Sequence, residues 1–214
     1  MKKLPISVLL LAGLFAFHSN SYALLRLGVK AGVNFSSITV SNPAPNTVSV
    51  TYKRTPGVML GASAEVAVAP ALSIRTELLF VDRSTKFDAK NSNGTVTASG
   101  TLRLNETSLA PFLVIRYPTP GGVIPFLQVG PEFGLRTFLS KKNGGIGETV
   151  DQAWKKSNFS MNAGAGIILP VGPAMDLTLD GRYNFSLINL HSGGSTKTHT
   201  NGIQFLAGWN FLKI

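Results

Sequence analysis

The segment 123–138, VIPFLQVGPEFGLRTF, sorts by alternation into two chemically unlike faces. Val123, Pro125, Leu127, Val129, Pro131, Phe133 and Leu135 fall on the odd face, while Gln128, Gly130, Glu132, Gly134 and Arg136 fall on the even one. A period of two with one wholly apolar side predicts a strand that crosses lipid and has a packed polar interior behind it. Lipid offers no partners to strand edges, so one such strand requires others, enough to close a barrel.

Seven more segments carry the same signature. They are predicted at about 25–36, 58–68, 72–80, 101–117, 158–169, 175–187 and 203–211. In the first, Leu27, Val29, Ala31, Val33 and Phe35 oppose Arg26, Gly28, Lys30, Gly32 and Asn34. The hairpin about Pro70 is expected to bring Glu65 of one strand near Arg75 of the next. The strand at 101–117 is irregular, because Phe112 and Val114 fall on its supposed interior side. Short turns follow Ala69, Tyr117 and Leu169, and longer loops are predicted near 39–57, 84–100, 140–157 and 189–200. Membrane barrels have short periplasmic turns and long external loops. The fold class is therefore all-β, an eight-stranded antiparallel up-and-down transmembrane barrel. The alternative is a soluble lipocalin-like barrel binding a small apolar ligand, which would turn its apolar face inward.

Composition adds limits to this picture. At 214 residues with no change of composition, one domain is expected, and no apolar run is long enough for a membrane helix. Residues 1–23 read as a signal peptide: Lys2 and Lys3 are basic, Val8 to Phe17 is apolar but too short to span, and Ser21-Tyr22-Ala23 is a cleavage site. An uncleaved anchor is the other reading of that segment. Residues 24–214 form the barrel domain. The absence of cysteine removes lipoprotein acylation, disulfides and thiolate chemistry.

Four segments carry a family resemblance: 28–36 (GVKAGVNFS), 77–80 (ELLF), 125–131 (PFLQVGP) and 181–184 (GRYN). Together they resemble the PorT-like outer-membrane β-barrel family over essentially all of the mature chain. The resemblance implies an OmpX/OmpA-like eight-stranded barrel in the outer membrane of a Gram-negative bacterium, most often of the Bacteroidota. Most members of that family have no assigned activity, and some are associated with type IX secretion and gliding. Insertion by the barrel-assembly machinery and a monomeric state are expected.

Eight strands leave an interior just wide enough for side chains. The inward set is expected to be a paired charge network of Arg26, Lys30, Glu65, Arg75, Glu77, Arg116, Glu132, Arg136, Asp176, Asp180 and Arg182. A narrow ion path is the competing reading of the same residues. Across the loops, nine cations (Lys53, Arg54, Lys86, Lys90, Lys141, Lys142, Lys155, Lys156, Lys197) stand against Asp88, Glu148 and Asp151. Lys53, Arg54, Lys141, Lys142, Lys155 and Lys156 are candidate contacts for lipopolysaccharide phosphates, the alternative being a merely solvated surface. Nucleic-acid binding is not expected, since no basic helix or aromatic-basic interleaving is present.

Catalysis is not expected either. His191, Ser192, Ser195 and His199 cluster in the last loop, as in rim-active lipid A hydrolases, but no acid lies near to orient a histidine. No metal site or cofactor is expected; two histidines eight residues apart specify no metal geometry, and the glycine-rich stretches at 144–147 and 164–166 precede no helix. The expected role is structural, adhesive or accessory.

Overall fold

The computed structural model describes residues 25–41, 49–90, 95–120, 122–143, 146–148, 155–190 and 197–213. These form β1 (Leu25–Ser41), β2 (Ser49–Ala69), β3 (Leu72–Asp82), β4 (Thr85–Lys90), β5 (Val96–Arg116), β6 (Ile124–Asn143), β7 (Ile146–Glu148), β8 (Ser157–Pro170), β9 (Asp176–Ser186) and β10 (Lys197–Lys213). All pairings are antiparallel, and β1 pairs with both β2 and β10 to close the ring. β3 and β4 both lie between β2 and β5, as one strand interrupted at Arg83 and Ser84. β7 pairs with β6 outside the ring, which leaves eight strand positions around the barrel.

Alternation decides which way each side chain points. Val29, Leu60, Leu78, Leu109, Leu127, Leu179 and Trp209 face outward and are exposed, whereas Lys30, Glu77, Gln128, Asp180 and Gln204 face inward and are buried. A soluble lipocalin-like barrel requires the reverse orientation, so that alternative falls. The apolar exterior is the surface that lipid would otherwise have to cover as a hydrophobic patch in water.

The strands run further than the alternation predicts. β5 has 21 residues and β6 has 20, whereas about 9–11 residues suffice to cross the bilayer. Much of what reads as loop is therefore ladder: Ser49–Arg54 pairs with Thr85–Lys90, and Gly100–Leu104 pairs with Leu139–Asn143. Past the lipid belt the outer face no longer needs apolar side chains, and the period-two signal weakens while the backbone pairing continues; on the inner face Leu102 and Leu104 stay buried.

The opposite end is tight, as predicted. Ala69 pairs with Leu72 across the Pro70-Ala71 turn. In the turn at 117–123 the Gly122 N–H donates to the Thr119 carbonyl, the Thr119 hydroxyl donates to the Val123 carbonyl, and Gly122 takes a φ of 77°, a left-handed conformation that suits glycine.

Candidate functional site: the charged interior

The interior is built from inward positions of all eight strand positions. Six cations (Arg26, Lys30, Arg75, Arg83, Arg116, Arg182) and six carboxylates (Glu65, Glu77, Glu106, Glu132, Asp176, Asp180) are buried among the described residues. The sum is zero. Neutrality matters because each charge removed from water without a partner costs several kcal/mol.

The pairs stack in three tiers. Near the short turns, Arg26 Nε lies 3.0 Å from Asp176 and its Nη1 3.4 Å from Glu65. Glu65 also receives Arg75 Nε at 2.6 Å and pairs with Arg116, which joins β1, β2, β3, β5 and β9 through one carboxylate and its neighbours. Glu65 and Arg75 are cross-strand partners, as the Pro70 hairpin predicts. In the middle tier Lys30 Nζ lies 2.6 Å from Glu77 and 2.7 Å from Asp180, and Arg182 binds the other oxygen of Glu77 at 2.7 Å. Gln128 donates to Asp180 at 3.0 Å and accepts from Arg75 at 3.2 Å, linking the two tiers. Gly208 makes room for Lys30: a Cβ there would lie 3.1 Å from the lysine Cγ and 2.4 Å from Thr178 Oγ1.

Arg83 organises the upper tier. Its guanidinium binds Glu106 of β5 through Nε at 2.7 Å, Asn184 through Nη1 at 2.9 Å, and Glu132 of β6 through Nη2. Asn162 and Asn184 donate to the second oxygen of Glu132, and Asn158 to Glu106. Arg83 points inward because it continues the odd parity of β3, and its N–H still donates to the Leu104 carbonyl at 2.7 Å. The Asp82 carboxylate accepts the Ser84 N–H at 3.0 Å, a local turn that substitutes for strand pairing.

Ten of the eleven network residues named from sequence are buried here. Arg136 is the exception: it is half-buried near the long-ribbon end, where a register shift opposite Asn105 and Glu106 displaces it, and its N–H donates to the Lys156 carbonyl. Arg83 and Glu106 escaped the sequence reading. Carrying the odd parity of β3 on through Leu79 and Val81 reaches Arg83, and carrying the even parity of β5 back through Ser108 reaches Glu106. Phe112 and Val114 do face inward. They form an apolar cluster with Ala110, Phe126 and Ile168, over which Arg182 lies 5.0 Å from the Phe112 ring and Arg75 lies 4.8 Å from that of Phe126.

Among the rim residues, Lys53, Arg54, Lys155 and Lys156 are exposed, and Lys53 pairs with Asp88 at 2.7 Å. Lys141 and Lys142 lie in the β6 ribbon, in register with Glu148 and Gly147 of β7. His191, Ser192 and Ser195 lie outside the described residues, and His199 is in β10 opposite Thr39. No group of three or more metal-ligating side chains occurs among the described residues.

Comparison with known proteins agrees with this architecture. A family model described as an outer membrane protein beta-barrel domain matches residues 17–192. No curated protein matches the chain in sequence. Among solved structures, the outer membrane protein OprG from Pseudomonas aeruginosa superposes with a TM-score of 0.51 at 12% identity, covering 89% of this chain and 94% of that one. The outer membrane protease OmpT from Escherichia coli gives 0.49 at 11% identity over 91% and 99%, and Neisserial surface protein A gives 0.48 at 14% over 87% and 97%. At these identities the likeness concerns the fold alone.

Proposed function

The chain belongs to the outer membrane protein β-barrel domain family and resides in the outer membrane, and from that premise we propose that it is a non-enzymatic structural, adhesive or accessory barrel whose basic outer rim contacts lipopolysaccharide. The observation that carries this reading is the neutrality of the interior. With six buried cations matched by six buried carboxylates, the net positive charge of residues 24–214 lies outside the interior, most of it on the rim and ribbons. Short turns mark the periplasmic side and long ribbons the external one, so Lys53, Arg54, Lys155 and Lys156 meet the outer leaflet. There a lysine or arginine near an anionic surface contributes about 1 kcal/mol.

Within the family we place the chain in the PorT-like group of the Bacteroidota, on the four sequence segments that resemble it. Residues 1–23 serve as the signal peptide, the assembly machinery inserts the barrel, and the protein acts as a monomer. Glu77 and Glu132 are occupied: each oxygen of the two accepts from a cation or an amide, which leaves neither free to act as a base.

Replacing Lys141, Lys142, Lys155 and Lys156 together by Gln tests the rim. The lipopolysaccharide phosphate recovered per folded barrel should fall several-fold. Unchanged recovery with unchanged heat-modifiable mobility refutes the contact.

A further inference from the structure

Register sorts the cations of the outer ribbons onto two faces. Directly opposed residues of a ladder share a face. Four strands carry one cationic row: Lys53 of β2 stands opposite Lys86 of β4, Lys86 opposite Thr101 of β5, and Thr101 opposite Lys142 of β6. Arg103, two residues nearer the membrane on β5, lies on the same face opposite Ser140. Thr85 and Leu102, which alternate with this set, are buried, whereas Lys53, Lys86 and Arg103 are exposed, so the row looks outward. Arg54 and Lys141 are in register with Thr85 and Leu102 and fall on the opposite face.

By itself the row is unfavourable. Like charges directly opposite each other destabilise a ladder, and Lys53 faces Lys86. Asp88, with one oxygen 2.7 Å from Lys53 Nζ, is the single carboxylate at these positions. Four cations against one acid leave three positive charges on a patch three strand spacings wide, about 14 Å at roughly 4.8 Å per spacing. Between them register places the hydroxyl residues Thr51, Ser99, Thr101 and Ser140. Height decides what can reach the patch. The row of Phe80, Thr107 and Leu135, where Phe80 and Leu135 are exposed apolar side chains, lies six residues nearer the membrane along β5. Six residues span about 20 Å of strand and, at a tilt of about 40°, rise about 15 Å, whereas the headgroup layer on each side is about 5–8 Å deep. The patch therefore stands in water past the headgroups.

We infer that the outward face of the β2–β4–β5–β6 ribbon is a docking surface for an acidic polysaccharide, a chain in the surrounding water that carries sulfate or carboxylate groups. Its anions meet the cationic row and relieve the repulsion between Lys53 and Lys86, and its hydroxyls exchange hydrogen bonds with Ser99 and Thr101. Contacts of this kind are charge-assisted and weaken as salt is added. A single-stranded nucleic acid needs aromatic rings on which its bases stack. The aromatic pair of β2 and β4, Tyr52 opposite Phe87, is on the face away from the row. Lys53 and Lys142 also belong to the rim set assigned to lipopolysaccharide, but Lys86 and Arg103 do not, and the docking surface does not rest on that assignment.

The test titrates the full-length barrel, folded in phosphatidylcholine vesicles free of lipopolysaccharide, with fluorescein-labelled dextran sulfate at an ionic strength of about 0.15 M. Dextran sulfate should bind and uncharged dextran should not. Lys86→Gln with Arg103→Gln should weaken binding at least tenfold. Lys155→Gln with Lys156→Gln, which removes the same charge ahead of β8, should weaken it less than twofold. The charge-keeping pair Lys86→Arg with Arg103→Lys should bind within twofold of the native barrel, which separates loss of charge from loss of fold. No binding of dextran sulfate, or equal weakening by the two Gln pairs, overturns the docking surface. Duplex DNA of equal charge binding as tightly as dextran sulfate overturns the assignment to polysaccharide. Lipopolysaccharide recovered with the Lys86→Gln, Arg103→Gln barrel should stay native, so failure of one reading is distinguishable from failure of the other.

Discussion

Glu77 is the carboxylate on which the middle tier turns, and its removal gives the sharpest test of the charged interior. It is fully buried and accepts Lys30 Nζ at 2.6 Å on one oxygen and Arg182 Nη1 at 2.7 Å on the other. Glu77→Leu leaves Lys30 and Arg182 with Asp180 as the tier's one carboxylate, an uncompensated positive charge inside the membrane. Breaking a buried pair on one side costs about 3–5 kcal/mol. With a urea slope of about 2 kcal/mol/M, the unfolding midpoint should fall by about 2 M. Folding is read in vesicles from heat-modifiable mobility and from the fluorescence of Trp209, which faces lipid. Glu77→Gln, which keeps an acceptor, should lose less. The double variant Lys30→Met with Glu77→Leu leaves Asp180 and Arg182, whose charges cancel, and should recover at least half of the single-variant loss. A loss under about 1 kcal/mol for Glu77→Leu, or a double variant as unstable as the sum of its singles, refutes the view that pairing holds this tier together.

Two further variants probe the upper tier and the exterior. Arg83→Met strands Glu106 and Glu132 together, two like charges from adjacent strands, and should lower the urea midpoint by at least as much as Glu77→Leu. Leu78→Arg, at a position 54% exposed on the outer face of β3, should cost about 2–4 kcal/mol in vesicles if that position lies near the bilayer midplane; a change within error would place it outside the lipid belt.

The architecture was legible in the sequence wherever the two faces of a strand meet different surroundings. Across 123–135 one side meets lipid and the other meets charge, so the alternation fixes strand, parity and orientation together. The extended ribbons were less legible because their outer face is no longer uniformly apolar; 49–54 reads as a polar loop although it pairs residue for residue with 85–90. Arg83 was hidden for a different reason. It sits in the two-residue break between β3 and β4, where the chain loses strand geometry for a step while keeping its inward direction. Glu106 lies on the correct parity of a strand whose later interior positions, Phe112 and Val114, are apolar and obscured it.

That anomaly points to how the interior divides its labour. Ion pairs tie β1, β2, β3, β5 and β9 together in the lower tier, β1, β3 and β9 in the middle, and the β3–β4 break with β5 and β6 at the top. Every tier joins strands distant in sequence, and a charge held by carboxylates from two or three strands resists separation of any of them. At the β5–β6 boundary the ladder pairing skips Pro111 and Pro131; there Gly130 leaves no room for a side chain against the Pro111 carbonyl, and Glu132 stays ion-paired to Arg83. Arg83 holds both strands there through Glu106 of β5 and Glu132 of β6. One guanidinium thus joins the two strands beside the place where the proline pair removes their backbone donors, so a side-chain ion pair stands in for the missing ladder bonds.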